Sequence, residues 1–497
     1  MAYPVGPVSL ARQAAGGFAW ATATTVIARL LTVASTFALT RFLAPEEQGE
    51  VNLAFVLVSS AGAATAFGVG QYVAAHPRAG RDVGFHGTLL VVVAGVLSCL
   101  FSVAVAREAG SVMGCPGMAE YVPGLALAHF LERLGWVPRS LLVREMRFRA
   151  VGLRLAAGEL TFAVTSVWLA AGGAGGDAIV FGNIARASLG TAYLLWATAP
   201  RDHLWPHPLS RGTLRRMLSF GLPITAAQFF RIGATSWDNS LMGMRFGEAA
   251  VGVYNQAYRL AELPAASVGD PLNDVLVPTF ARLVDPAARR RGYFRAVSLV
   301  ALIVLPMSAG LAVVAGDLVR VFYPPSYREV GPFLTALAGI GVARGISSLS
   351  GAYLQSMGRT RPAALSELAL VACVLGAMTM LSRLGAVAAA AGVTAAFFVH
   401  AGVVVRALSS EGIALASVAR AAARPAAACA PMVAAVSGLG WALGEMGVRP
   451  GAALGAEIVA GAAVYSVAAW VVARPVVRDF AAVAASVVSR RGASARG

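Results

Sequence analysis

The sequence predicts an all-α integral membrane protein of about fourteen transmembrane helices: two six-helix lobes around a central cavity, plus two C-terminal helices. Three observations carry this. Hydrophobic residues make up 58 % of the 497 and charged residues only 13 %, and the mean hydropathy is +0.70, which excludes an ordinary soluble domain. Apolar windows long enough to cross about 30 Å of hydrocarbon recur along nearly the whole chain. Inside those windows lie the arginines Arg29, Arg133, Arg154, Arg186, Arg231, Arg259 and Arg344. A guanidinium at the centre of a spanning helix costs about 2.5–3.5 kcal/mol, so this set facing lipid would cost roughly 18–25 kcal/mol. Such groups must face protein or water, and a polar interior rich in cations suits an anionic cargo.

The windows follow one another at 16–39, 50–75, 84–106, 118–138, 150–172, 177–198, 217–243, 249–270, 296–315, 331–356, 363–384, 387–407, 425–446 and 451–473. The first is too long for a signal-peptide core and carries Arg29 mid-way, so it is expected as a retained helix. Pro264 and Pro306 predict kinks in the eighth and ninth. Cys99, Cys373 and Cys429 fall in windows and Cys115 in a loop, without disulfide or metal spacing. The longest inner connections, 199–216 and 276–295, mix apolar residues with arginines and suit either interfacial helices or solvated basic loops.

Arginine placement sets the orientation. There is no lysine, and with the N-terminus cytoplasmic twenty-six of the 40 arginines fall in inner loops and tails and seven in outer loops. The positive-inside rule therefore expects both termini in the cytoplasm of a cell whose inner membrane holds the protein. The basic charge is explained by topology and by attraction to anionic membrane lipids rather than by nucleic acid. No outer loop is long enough to hold an extracytoplasmic domain.

An internal repeat defines the lobes. RFLAPEEQGEVNLA, from Arg41 to Ala54, aligns with RFGEAAVGVYNQA, from Arg245 to Ala257, matching Gly49 with Gly252, Asn52 with Asn255 and Ala54 with Ala257. Both segments sit at the outer turn between the first two helices of a six-helix block, as expected for a same-orientation repeat. The expected organisation is residues 1–205 for the N-lobe, 206–410 for the C-lobe, and 411–497 for the last two helices and tail. Each lobe's first helix carries a polar stripe. In the first, Thr22, Thr25, Arg29, Thr32, Thr36 and Thr40 share an arc of about 80° at 100° per residue. In the seventh, Thr225, Gln228, Arg231, Thr235, Asp238 and Asn239 share one side.

By residue count Arg29, Arg133, Arg186, Arg231, Arg259 and Arg344 lie near the bilayer midplane, opposed only by Glu132, Glu159 and Glu262; Arg154, nearer an inner end, can snorkel. Guanidinium groups grip phosphate oxygens two at a time, so several around one cavity suit a diphosphate. Arg259 and Glu262 are spaced to pair with each other. Arg133 cannot face its neighbour Glu132, so one of the two needs a partner on another helix. Asp238 and Glu262 are the candidate coupling or partner acids, and His400 suits a hydrogen-bonded interior role. No nucleophile set, metal-ligand spacing or phosphate-binding glycine loop is present, so neither an enzyme nor a cofactor is expected.

The chain resembles a known family at several places: TRFLAPEEQGEVNLAFVL with FGVGQYV, SFGLPITAAQF with DNSLMGMRFGEAAVGVYNQAYRLAELP, VLVPTFARL, and LVRVFYPPSYREVGPFLTALA with GAYLQSMGRTRP. These resemble the polysaccharide transporter (Wzx-like) flippases of the multidrug/oligosaccharidyl-lipid/polysaccharide exporter superfamily over roughly residues 15–405. The resemblance implies a fold of two six-helix lobes with helices 13 and 14 appended. It also implies a cargo, an undecaprenyl-diphosphate-linked oligosaccharide moved to the outer leaflet for exopolysaccharide, capsule or O-antigen synthesis, with pathway enzymes as partners. It places Arg29, Arg231 and Arg259 in positions fitting contact with the diphosphate. The competing expectations are a multidrug exporter of the same fold, which should hold buried carboxylates in excess of arginines, and a membrane-embedded glycan polymerase, which needs a large outer loop.

Overall fold

The computed structural model describes residues 7–76, 80–282, 285–357 and 359–482, with side chains described for these except 7–19, 21–23, 201, 266–279, 281–282 and 360–364. The side chain of Thr22 in the first stripe, most side chains of VLVPTFARL, and Arg78 therefore lie outside the described residues. Among the described residues the chain is helical and holds no strand. In order these are α1 (Pro7–Leu39), α2 (Pro45–Ala64), α3 (Val69–Ala75), α4 (Arg81–Ala104), α5 (Ala106–Val112), α6 (Met118–Leu134), α7 (Trp136–Arg144), α8 (Phe148–Ala171), α9 (Asp177–Ala197) and α10 (Arg211–Arg282). They continue with α11 (Pro286–Val313), α12 (Ala315–Phe322), α13 (Val330–Leu337), α14 (Ile340–Ser356), α15 (Thr360–Leu381), α16 (Ala386–Arg406), α17 (Leu415–Glu445) and α18 (Pro450–Val472). Each apolar window falls on helix. Among the described residues eight helices are long and apolar enough to cross a membrane, or up to ten if each of two bent pairs is one span. Windows with several charges, or whose described apolar part is short, such as Thr24–Leu39, fall below that measure.

The sequence dictates where helices stop. Pro45 opens α2 at a position whose N–H would be unsatisfied anyway, and the Glu47 carboxylate reaches back to accept the Ala44 N–H at 3.0 Å. Asp285 caps α11, accepting the N–H groups of Ala287 and Ala288 at 2.9 and 3.0 Å. Those bonds hold its carboxyl below the usual range. Neither of the two long connections, 199–216 and 276–295, is a separate helix among the described residues. Residues 199–210 hold one short turn, Pro200–Asp202, and Arg289, Arg290, Arg291 and Arg295 already belong to α11. Within α10 the only non-helical residue is Gly247, with φ of 82°. This is a turn where the repeat led one to expect it, and the left-handed φ there needs glycine. Backbone torsions stay helical through Pro264 and Pro306.

The aligned glycines of the repeat have a physical reason. A Cβ on Gly49 would collide with the carbonyl of Glu248, and one on Gly252 would collide with the carbonyl of Pro45. Each glycine thus lets its helix press against the backbone of the other repeat segment's turn. At the far end of α2, Phe67 (φ 49°) and Gly68 (φ 55°) turn the chain by 49° into α3. Gly68 and Gly221 meet there with almost no space for a side chain: a Cβ on Gly68 would lie 2.8 Å from the Gly221 Cα.

The chain packs as two compact units, Met1–Gly252 and Val253–Gly497. In the first, α8 lies against α1 and α9, and α6 against α2, α4 and α9. Val69, Tyr72, Val73, Val91, Val137, Leu141 and Met217 form a core that ties α3, α4 and α7 to the start of α10. In the second, Phe280, Tyr293, Leu349 and Tyr353 centre a core on α11 and α14, and α17 and α18 pack together and onto α11 through Met432, Val436 and Leu454.

Candidate functional site

The buried arginines divide by what already holds them. Arg133, 1 % exposed, donates to the Thr65 hydroxyl at 2.9 Å and to the carbonyls of Thr65 (2.7 Å), Gly62 (3.3 Å) and Ala94 (3.3 Å). Its guanidinium carbon lies 4.9 Å from the Trp136 ring centroid. Thr65 stands at the bend after α2, where the helix no longer supplies its carbonyl with a partner, and a guanidinium with five donors can reach that oxygen and its neighbours at once. Arg133 is thus engaged with backbone rather than presented to a cargo. Its neighbour Glu132 pairs across helices with Arg154 at 2.9 Å, as the spacing requires.

Arg186 on α9 donates to Glu159 of α8 at 3.1 Å and to Asn183 at 2.8 Å, and Glu159 also accepts the Thr32 hydroxyl of α1 at 3.1 Å. Arg344 pairs with Glu262, and its guanidinium carbon sits 5.3 Å from the Phe397 ring centroid. Glu262 is therefore joined to α14, while Arg259 donates to Asn255 on its own helix at 2.8 Å. The expected pairing of Arg259 with Glu262 gives way to the closer partner on the neighbouring helix.

Arg29 is half-buried on α1, and Arg231 and Arg259 are exposed on α10. Arg231 makes no side-chain hydrogen bond or ion pair with another described residue. Three of the hydroxyls flanking these arginines bond back along their own helices, Thr36 to Thr32, Thr225 to Gly221 and Thr235 to Arg231. That leaves their oxygens as acceptors only. Asp238 is fully buried and accepts the Asn239 backbone N–H at 2.9 Å. Asn239 in turn accepts from Asn52 of the repeat motif at 3.0 Å. His400 is buried with Nδ1 3.3 Å from the Ser347 hydroxyl, the interior role expected. Among the described residues no group of three or more His, Cys, Asp or Glu could hold a metal ion.

Two bonds recur in matching positions seven helices apart. Thr191 of α9 donates to the Leu131 carbonyl at the end of α6, and Thr394 of α16 donates to the Ala336 carbonyl at the end of α13, each at 2.7 Å. Likewise an arginine just before or after those breaks, Arg133 or Arg344, reaches the second helix of its own block. Sequence reasoning missed these because a lone threonine or a break at Gly135 or Gly339 carries no signal until the two blocks are superposed. It also passed over an open cavity of about 310 Å³ lined by Gln71, Trp136, Arg139, Ser140 and Gln228, since Arg139 reads from sequence as one more loop charge.

The sequence pattern of the polysaccharide biosynthesis protein family matches residues 38–332. The lipopolysaccharide biosynthesis protein WzxC of Escherichia coli K12 is 23 % identical over 359 residues, covering 71 % of this chain and 72 % of that one. The amylovoran biosynthesis protein AmsL of Erwinia amylovora is 26 % identical over 204 residues, 40 % of this chain and 52 % of its own length. In fold, the chain is similar to the lipid II flippase MurJ in its inward closed conformation, with a TM-score of 0.74 and 12 % identity over 92 % of this chain and 99 % of that one. It is also similar to an inward-facing multidrug resistance transporter of the MATE family, with a TM-score of 0.64 and 17 % identity over 78 % and 95 %. The apolar helical fold and the matched segment, more than half of the chain, establish a multi-pass membrane protein that belongs to the polysaccharide biosynthesis protein family.

Proposed function

We propose that this protein is a flippase that moves an undecaprenyl-diphosphate-linked oligosaccharide from the cytoplasmic to the outer leaflet by alternating access. In this reading fourteen helices form two lobes, 1–205 and 206–410, with 411–497 appended and both termini cytoplasmic. Arg29, Arg231 and Arg259 take the diphosphate, and Arg133, Arg186 and Arg344 hold the frame. The observation that carries the reading is Arg231, an exposed guanidinium on the polar stripe of α10 with no hydrogen bond or ion pair to another described residue. A cation kept in an apolar helix without a protein partner needs a solvated or anionic one. Outward movement of an anion runs with an inside-negative potential, worth about 2.3 kcal/mol per charge per 100 mV.

A drug exporter for cations is disfavoured by the carboxylates. Glu132, Glu159 and Glu262 are each paired with an arginine. The test is R29A and R231A in the producing cell. The expected outcome is accumulation of lipid-linked intermediates with polymer output reduced at least tenfold; unchanged output from both variants overturns the assignment.

A further inference from the structure

We propose that the cavity between α3, α7 and the start of α10 is a loading subsite that takes the sugar-phosphate end of the cargo before it reaches Arg231. This rests on the flippase reading and adds a second place where the cargo is held. The cavity, about 310 Å³, is lined by Gln71, Trp136, Arg139, Ser140 and Gln228, within the range of about 300–1,000 Å³ for small-molecule sites.

The lining is built rather than incidental. The apposition of Gly68 and Gly221 draws α3 onto α10, and this brings Gln71 and Gln228 to one cavity. Gly70 leaves the wall beside Ser140 open, since a Cβ there would stand 3.0 Å from the Ser140 hydroxyl oxygen. Arg133, Arg154, Arg186 and Arg344 are each engaged by protein groups. By contrast, Arg139, Gln71 and Gln228 make no side-chain hydrogen bond or ion pair with other described residues, so one cavity gathers a guanidinium and two carboxamides whose donors are available. A guanidinium grips two phosphate oxygens together, and a carboxamide both donates and accepts, as vicinal sugar hydroxyls require. Trp136 supplies a flat apolar wall.

Position completes the argument. Arg139, on α7, belongs to the arginine-rich stretch 139–149 that the charge count assigns to the cytoplasm. Gln228 lies three residues before Arg231, on the same side of α10. A headgroup held at Arg139 and Gln228 therefore sits about one helical turn from the exposed guanidinium that receives the diphosphate.

The probes are radiolabelled glucose 1-phosphate and galactose 1-phosphate, titrated by equilibrium binding against the full chain in phosphatidylcholine nanodiscs. Saturable binding is expected for at least one, competed by inorganic phosphate and weakened at least tenfold in R139A and at least threefold in Q228A. R139K, which keeps the charge without the fork, should fall between wild type and R139A, and R406A should bind as wild type. Absence of binding by both probes, or R139A binding as wild type, overturns the subsite whatever the cell assay gives. Binding as expected, with no accumulation of lipid-linked intermediates in R231A cells, leaves the subsite standing and removes the flippase reading.

Discussion

Arg133 shows how one residue type in apolar sequence can hold two different jobs. Its donors meet three backbone carbonyls and a hydroxyl, the Thr65 carbonyl most closely at 2.7 Å, so R133A would remove several buried hydrogen bonds at once. The loss of each costs about 1–3 kcal/mol, and the melting temperature of the purified chain in detergent should fall by several degrees, with R133K restoring less than half of the loss because an ammonium lacks the fork. A fall of under one degree in R133A would contradict the capping role. His203, in the connection between α9 and α10, is 1 % exposed. Burial lowers its pKa from the ordinary value near 6.5. The unfolded chain then binds the proton more readily than the folded one, so stability is full above about pH 6.5 and declines as pH falls through the lowered value. Melting temperatures from pH 8 to pH 5 should show that decline in the wild type and a shallower one in H203Q; identical profiles would exclude the histidine as its source.

At the scale of helices, much was legible in the sequence and the remainder has definite causes. Apolar length located the long helices but not the short α5, α7 and α12, which fall largely between the apolar windows, and the repeated Gly49 and Gly252 marked a real crossing, because only glycine lets each helix meet the backbone of the other repeat's turn. G49A and G252A should each destabilise the chain by about 1–3 kcal/mol, an overpacking cost, read as a lower melting temperature and reduced yield of folded protein. A wild-type melting curve for both would mean the crossing is not tight. The breaks at Phe67 and Gly135 were not legible, since their cost is met by Arg133 and Thr191 from helices distant in sequence. The ion pairs escaped for the same reason. Depth along a helix is readable from residue count, but whether a guanidinium faces Glu159, Glu262 or water depends on helix rotation fixed only by packing.

For the whole molecule, family membership and a MurJ-like fold agree with a membrane of helices whose internal cations are in part committed to structure. The account's central claim is that the remaining guanidinium groups, Arg231 foremost, carry the anionic cargo. The most direct measurement is flipping of a fluorescent undecaprenyl-diphosphate-linked oligosaccharide in proteoliposomes containing the purified chain, scored by the fraction that becomes accessible to a membrane-impermeant quencher. The account predicts flipping above protein-free liposomes for the wild type and a loss of at least tenfold in initial rate for R231A at unchanged melting temperature. An R231A rate equal to that of the wild type would contradict it.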